Sequence, residues 1–104
     1  MAHRTAAVFA ALGDETRLRI VGRLCREGPM SITKLTDGFS ISRQAVTKHL
    51  RVMKTAGLVR RRRNGRESVW NLEEQRLADA RRHLQTIAIQ WDETIERLRA
   101  YVER

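Results

Sequence analysis

Apolar residues recur at helical spacing in four successive short segments, alternate as a strand pair does, and return to a helical period toward the C-terminus. Residues 5–12, Thr-Ala-Ala-Val-Phe-Ala-Ala-Leu, predict a short apolar helix that Gly13 stops. Asp14 then caps a second helix, in which Leu18, Val21, Leu24 and Cys25 form the apolar stripe and Arg17, Arg19, Arg23 and Arg26 take the other side, until Gly28-Pro29 ends it. Ser31 or Thr33 caps a third through Leu35, closed near Gly38. Ser42 caps a fourth that runs to Ala56, with Gly57 as its stop.

The fourth helix separates into two faces. At about 100° per residue from Arg43, the residues Arg43, Lys54, Thr47, Arg51, Gln44 and Lys48 fall between roughly 0° and 140°. Ala45, His49, Met53, Val46 and Leu50 fall between roughly 200° and 340°. One face is cationic and hydrogen-bonding; the other is apolar apart from His49. Such a helix packs on its own domain while presenting Arg, Lys, Gln and Thr to a ligand, the side chains that read base edges and grip phosphates.

After Gly57 the segment from Leu58 to Leu72 reads as a hairpin. Asn64-Gly65 is a preferred two-residue turn, and it predicts Arg63 opposite Arg66 and Arg62 opposite Glu67. Like charges placed together cost stability in water. A hairpin tip built that way points to a polyanion, while the bland reading is a charged edge strand that resists aggregation.

From Glu73 one long helical pattern runs to the C-terminus. Leu77, Leu84, Trp91 and Leu98 recur every seven residues, and Ile87, Ala88, Ile95, Tyr101 and Val102 widen the stripe. Because the first four helices already supply a core, this stripe predicts self-association. An antiparallel pair or a small bundle with the first helix would both satisfy the pattern.

Charge sharpens the picture. The chain has 104 residues, 21 Lys and Arg against 12 Asp and Glu, and a net charge of +9. Arg43 to Arg66 holds nine of the cations, namely Arg43, Lys48, Arg51, Lys54, Arg60, Arg61, Arg62, Arg63 and Arg66, and no acid. The remaining residues balance at twelve cations and twelve acids. A concentrated cationic patch is what binding to a polyanion requires, because each neutralised phosphate releases condensed counterions.

With 41% hydrophobic and 32% charged residues, the composition is that of one soluble domain spanning residues 1–104. No apolar run approaches the roughly 18 residues that cross a bilayer, and Met1-Ala2-His3-Arg4 opens no signal core, so the expected location is the cytoplasm, with no membrane partner. The lone cysteine, Cys25, excludes an internal disulfide and falls on the second helix's stripe, which predicts core packing rather than a reactive thiol.

The order helix-turn-helix, basic helix, then arginine-tipped hairpin is that of a winged helix-turn-helix: mainly α with a small β-hairpin wing, in the order α-α-α-α-β-β-α. At the residue level the chain resembles the ArsR/SmtB family of bacterial transcriptional repressors over nearly its whole length. The resemblance rests on Ala11-Leu-Gly-Asp-Glu-Thr-Arg-Leu-Arg-Ile-Val21, on Ile41-Ser-Arg-Gln-Ala-Val-Thr-Lys-His-Leu50, and on Ala56-Gly-Leu-Val59 followed by Arg63-Asn-Gly-Arg66. Glu15 stands where many members have proline, a harmless departure at the start of a helix.

The resemblance implies a homodimer held by the first and last helices, residues 1–12 and 73–104, with Phe9, Leu84, Ile87, Trp91, Ile95, Leu98 and Val102 at the interface. It implies double-stranded DNA as the partner, an operator with two-fold symmetry, and repression of the chain's own operon. Ser42, Arg43, Gln44, Thr47, Lys48 and Arg51 are then the DNA-facing positions, with Arg61, Arg63 and Arg66 on the wing. Gln44 suits adenine and Arg43 guanine, while Ser42 caps its helix and touches phosphate. His49, on the inward face, is expected to be partly buried and bonded to backbone.

Well-known members of that family sense metals, yet the familiar ligand positions are empty of donors here. The segment Pro29 to Leu35 carries no cysteine, Asp79 is followed at ligand spacing by Arg81, and Trp91 stands where a second histidine is expected. Tetrahedral zinc needs three or four converging ligands, and His3, His83, Asp79 and Asp92 offer no recognisable set. No metal or cofactor is predicted, and the sequence identifies no effector. The sequence supplies no nucleophile and base pair and no glycine-rich phosphate loop, which excludes an enzyme. The competing reading is a basic architectural protein that coats DNA without sequence choice, although such a protein has no need of Gln44 and Thr47 on an exposed helix face.

Overall fold

Asp14, Ser31 and Ser42 each start a helix in the same way. Their backbones are extended and their side-chain oxygens accept a hydrogen bond from the amide three residues on: Arg17 at 3.0 Å, Lys34 at 3.2 Å and Ala45 at 3.1 Å. Each cap satisfies one of the orphan N–H groups of the first turn. In a computed structural model that describes residues 2–103, the order is α1 (Ala2–Leu12), α2 (Glu15–Glu27), β1 (Met30–Ser31), α3 (Ile32–Asp37), α4 (Arg43–Thr55), β2 (Val59–Asn64), β3 (Glu67–Leu72) and α5 (Glu74–Val102). Met1, Arg104 and the side chains of Ala2 and His3 lie outside the described residues, so the expected arms are described from residue 2 and to residue 103.

The three strands form one antiparallel sheet in the order β1-β3-β2. Helices α1 to α4 pack against it around Ile20, Leu35, Leu50, Met53 and Leu58, all fully buried, with Val8 and Val46 beside them. Trp70 closes the core from the sheet. Among the described residues no polar or charged side chain is buried. That is the pattern expected when apolar transfer provides the stabilisation and polar groups stay hydrated.

Helix α5 departs from this body. Ala80 is its one fully buried residue, and beyond it the helix runs exposed apart from a half-buried Ile95. The molecule measures 67 × 28 × 21 Å with a radius of gyration of 18.0 Å. A compact chain of this length would have a radius of gyration of about 13 Å. The difference is the projecting arm.

The expectations for α2 and for the hairpin need correction. Helix α2 buries Ile20, Val21 and Leu24, which turns Leu18 (55% exposed) and Cys25 toward solvent. Two apolar stripes at helical spacing share Val21 and Leu24, and the one through Ile20, not the one through Leu18 and Cys25, enters the core. The same rotation brings Arg17, three residues before Ile20, onto the inward face rather than the outer one. The two-residue strand β1 went unread because a pair of residues carries no period.

The hairpin turn lies one residue later than expected, which moves every cross-strand partner by two. Asn64 pairs with Glu67, Arg63 with Ser68 and Arg62 with Val69, so Gly65 and Arg66 form the turn. Gly65 has φ +65° and no described non-glycine residue has positive φ, which is the type II′ arrangement with glycine at the first central position. An Asn64-Gly65 turn would require positive φ at Asn64 as well. Arg63 therefore does not face Arg66, and no like-charge pair is strained at the tip.

Candidate nucleic-acid interface

The apolar edge of α4 anchors it: Val46, Leu50 and Met53 are fully buried, as the helical wheel predicts. The opposite edge is open. Arg43, Gln44, Lys48, Arg51 and Lys54 are exposed, and Thr47 is half-buried, its hydroxyl donating to the Arg43 carbonyl at 2.8 Å. Arg43, Gln44, Thr47 and Arg51 together line a shallow recess of about 280 Å³. Ser42 spends its hydroxyl oxygen on the Ala45 amide, so its local role is the cap.

The wing carries four consecutive arginines, and the sheet register sorts them. Residues directly opposite in an antiparallel pair share a face. Arg61 lies opposite Trp70 and Arg63 opposite Ser68, in line with the buried Val59, so these two extend from the core face of the sheet. Arg60 and Arg62, opposite Asn71 and Val69, occupy the reverse face, where Arg60 pairs with Glu73 at 4.0 Å. Arg66 sits exposed in the turn. β2 packs on α4, which places the cationic helix edge and the wing on one body. No acid interrupts the stretch from Arg43 to Arg66.

His49 does not bond to backbone as expected. Its Nδ1 lies 3.4 Å from a terminal guanidinium nitrogen of Arg17 and 3.8 Å from Asp14 Oδ2, and its side chain is 25% exposed. Arg17 Nε donates to the Ala11 carbonyl at 2.7 Å. The Asp14 carboxyl is held below the usual carboxylate range, chiefly by the hydrogen bond from the Arg17 amide; partial desolvation opposes this, and the charges of Arg17 and His49 assist. The one signal for this cluster in the sequence is the spacing of Arg17 to Ile20, Val21 and Leu24.

The comparisons with known proteins agree with this geometry. Residues 12–62 match the family profile of a helix-turn-helix domain. An HTH-type transcriptional regulator of Mycobacterium tuberculosis is 43% identical over 76 residues, covering 73% of this chain and 70% of that protein. An ArsR-like transcriptional regulator from Rhodococcus sp. superposes with a TM-score of 0.80 at 35% identity, over 93% of this chain and 91% of that one. The chain belongs to the ArsR family of helix-turn-helix transcriptional regulators. It is a transcription regulator and not an enzyme. A homodimeric winged helix-turn-helix DNA-binding domain from Mycobacterium bovis shares the fold at a TM-score of 0.67 and 24% identity, over 91% of this chain and 84% of that one.

In this ArsR-family regulator the residues expected at a dimer interface lie on α1 and α5. Leu84 (54%), Ile87 (49%), Trp91 (62%), Leu98 (56%) and Val102 (73%) are exposed, and Ile95 is half-buried. Phe9 is half-buried against the core, its ring 6.1 Å from that of His83. Ile89, 53% exposed, is a further apolar side chain on the arm that the heptad reading left out. Asp79 is engaged by Arg76 at 3.7 Å and by Arg82. Among the described residues no three His, Cys, Asp or Glu side chains converge as a metal site. No helix among them is long and apolar enough to cross a membrane.

Proposed function

We propose that the chain is a sequence-specific repressor that binds a two-fold-symmetric DNA operator as a homodimer in the cytoplasm. The observation that carries this reading is α4 itself, with Val46, Leu50 and Met53 locked into the core and Arg43, Gln44, Thr47, Lys48 and Arg51 turned outward beside the wing. Helix α4 enters the major groove, where Gln44 reads adenine and Arg43 guanine through paired hydrogen bonds. Lys48 and Arg51 neutralise phosphates, and Ser42 presents the helix N-terminus to the backbone. Arg61, Arg63 and Arg66 of the wing grip the flanking phosphates and supply affinity without sequence choice.

The exposed apolar stripe of α5 supports the dimer. Leu84, Ile87, Trp91, Leu98 and Val102 form a continuous surface larger than isolated exposed hydrophobics would make, and a second copy covers it. Two recognition helices then meet half-sites about one helical turn apart, roughly 34 to 36 Å. The test is footprinting on the DNA upstream of the chain's own gene in the presence of excess random duplex. A protected pair of inverted half-sites is the expected result. Uniform protection that random duplex competes away would instead mean an architectural protein.

A further inference from the structure

We propose that Arg17 and His49 are positioning residues for operator binding: Arg17 fastens the back of the recognition helix to the corner between α1 and α2, and protonation of His49 releases it. This inference rests on the reading of α4 as the helix that enters the groove.

Val46, Leu50 and Met53 hold α4 in place, but apolar contact is non-directional and sets depth better than rotation. A hydrogen bond has direction and sets both. The Arg17 guanidinium reaches two elements besides its own, the last turn of α1 through the Ala11 carbonyl at 2.7 Å and the inward edge of α4 through His49 Nδ1 at 3.4 Å. At α1 it meets a carbonyl at the helix's negative end, a favourable place for a cation. Helix α1 also belongs to the arm assigned to the dimer. One side chain thus joins the dimer arm to the helix that reads DNA.

The chemistry of this contact depends on protonation. A guanidinium only donates, so a hydrogen bond at this contact needs His49 Nδ1 as the acceptor, a role open only to a neutral imidazole with its proton on Nε2. A protonated Nδ1–H cannot accept from Arg17, is repelled by its charge, and turns to Asp14 Oδ2, which stands 3.8 Å away. Asp14 is at the same time the cap of α2, taking the Arg17 amide at 3.0 Å. Swapping partners therefore loosens the corner and frees α4 to rotate. Among the described residues, Asp14 and Arg17 are the charged groups in contact with His49, both from the α1–α2 corner; α1 reaches it through Arg17, and α2 carries Arg17 itself, while α3 and β2 bring no charged contact.

The test is fluorescence anisotropy of the full chain on a duplex that it selects from a randomised pool, at fixed ionic strength from about pH 8 to about pH 5.5, where histidine changes charge. Thermal melts accompany each variant at each pH. Wild-type affinity should fall on the order of fivefold on acidification, the low end of ordinary coupling. His49→Asn puts a non-titrating acceptor where Nδ1 stood, so its affinity at neutral pH should stay within about twofold of wild type and its profile should be flat. Asp14→Asn keeps the cap but removes the charge that receives the imidazolium, which should move the fall to lower pH. Arg17→Met should weaken binding at every pH while the chain remains folded, and His83→Asn should leave the profile unchanged. A wild-type acid fall that survives in folded His49→Asn, or a flat wild-type profile, overturns the inference. Should His49→Asn fail to fold, an Asp14→Asn profile identical to wild type does so. Gln44→Ala separates the two levels. If it weakens binding while the histidine prediction fails, only this inference is lost; if it has no effect, the recognition-helix reading fails and this inference with it.

Discussion

Replacing Trp91 with glutamate tests the dimer at its largest side chain. Trp91 stands on the outer arm of α5 and is 62% exposed. A tryptophan carries on the order of 250 Å² of surface, so about 155 Å² stays available for a partner, equivalent to about 4 kcal/mol per protomer at about 25 cal/mol per Å². Two copies enter a symmetric interface. Full coverage would contribute about 8 kcal/mol, and coverage of half that area about 4 kcal/mol, a change of roughly a thousandfold in dimer Kd. Glutamate adds the cost of placing a carboxylate in an apolar seam, yet it is a good helix former, so α5 persists. Sedimentation at micromolar concentration should show a wild-type dimer and a Trp91→Glu monomer of unchanged helical circular dichroism. Operator affinity should collapse with it, because one half-site no longer recruits the other. A monomeric wild type, or a variant that sediments as a dimer of wild-type tightness, would refute the argument from exposed area.

Alanine at Gln44 or Arg43 should cost about 1 to 3 kcal/mol per half-site and relax choice at a single base pair, whereas alanine at Arg61, Arg63 or Arg66 should weaken all sequences alike and flatten the salt dependence, both read by competition binding against mismatched and random duplexes. Arg62→Ala, on the reverse face of the sheet, should do less than Arg63→Ala in the same assay. Ser42→Ala removes the acceptor for the Ala45 amide and should lower unfolding free energy by about 1 kcal/mol in urea denaturation. Stoichiometric Zn(II), Ni(II) or As(III) should leave operator affinity within about twofold, since a metal effector needs ligands that favour one state. Tight metal binding that releases the operator would reveal a site assembled across the dimer around Asp79, His83 and Asp92.

Much of this molecule was legible along the chain because its signals are local. Caps at Asp14, Ser31 and Ser42, the stop at Gly57 and the two-faced wheel of α4 depend on residues within a few positions of each other, and each appears in the structure. The concentration of cations from Arg43 to Arg66 is likewise a property of the sequence itself. What depended on distant partners was read less well. Whether Leu18 and Cys25 or Ile20 joins Val21 and Leu24 on the inward face is decided by what α2 packs against, since both sets satisfy a 3.6 period. The hairpin offered two turns around one glycine; both leave Trp70, Arg61 and Arg63 on one face, and the observed pairing puts Arg61 opposite Trp70 and pairs β3 with both β1 and β2. The Arg17, His49 and Asp14 cluster joins residues up to 35 positions apart, a meeting that exists only once α1, α2 and α4 have packed. Local hydrogen bonding and periodicity are written in neighbouring residues, while the choice between equally periodic faces is made by the free energy of burying one set instead of the other.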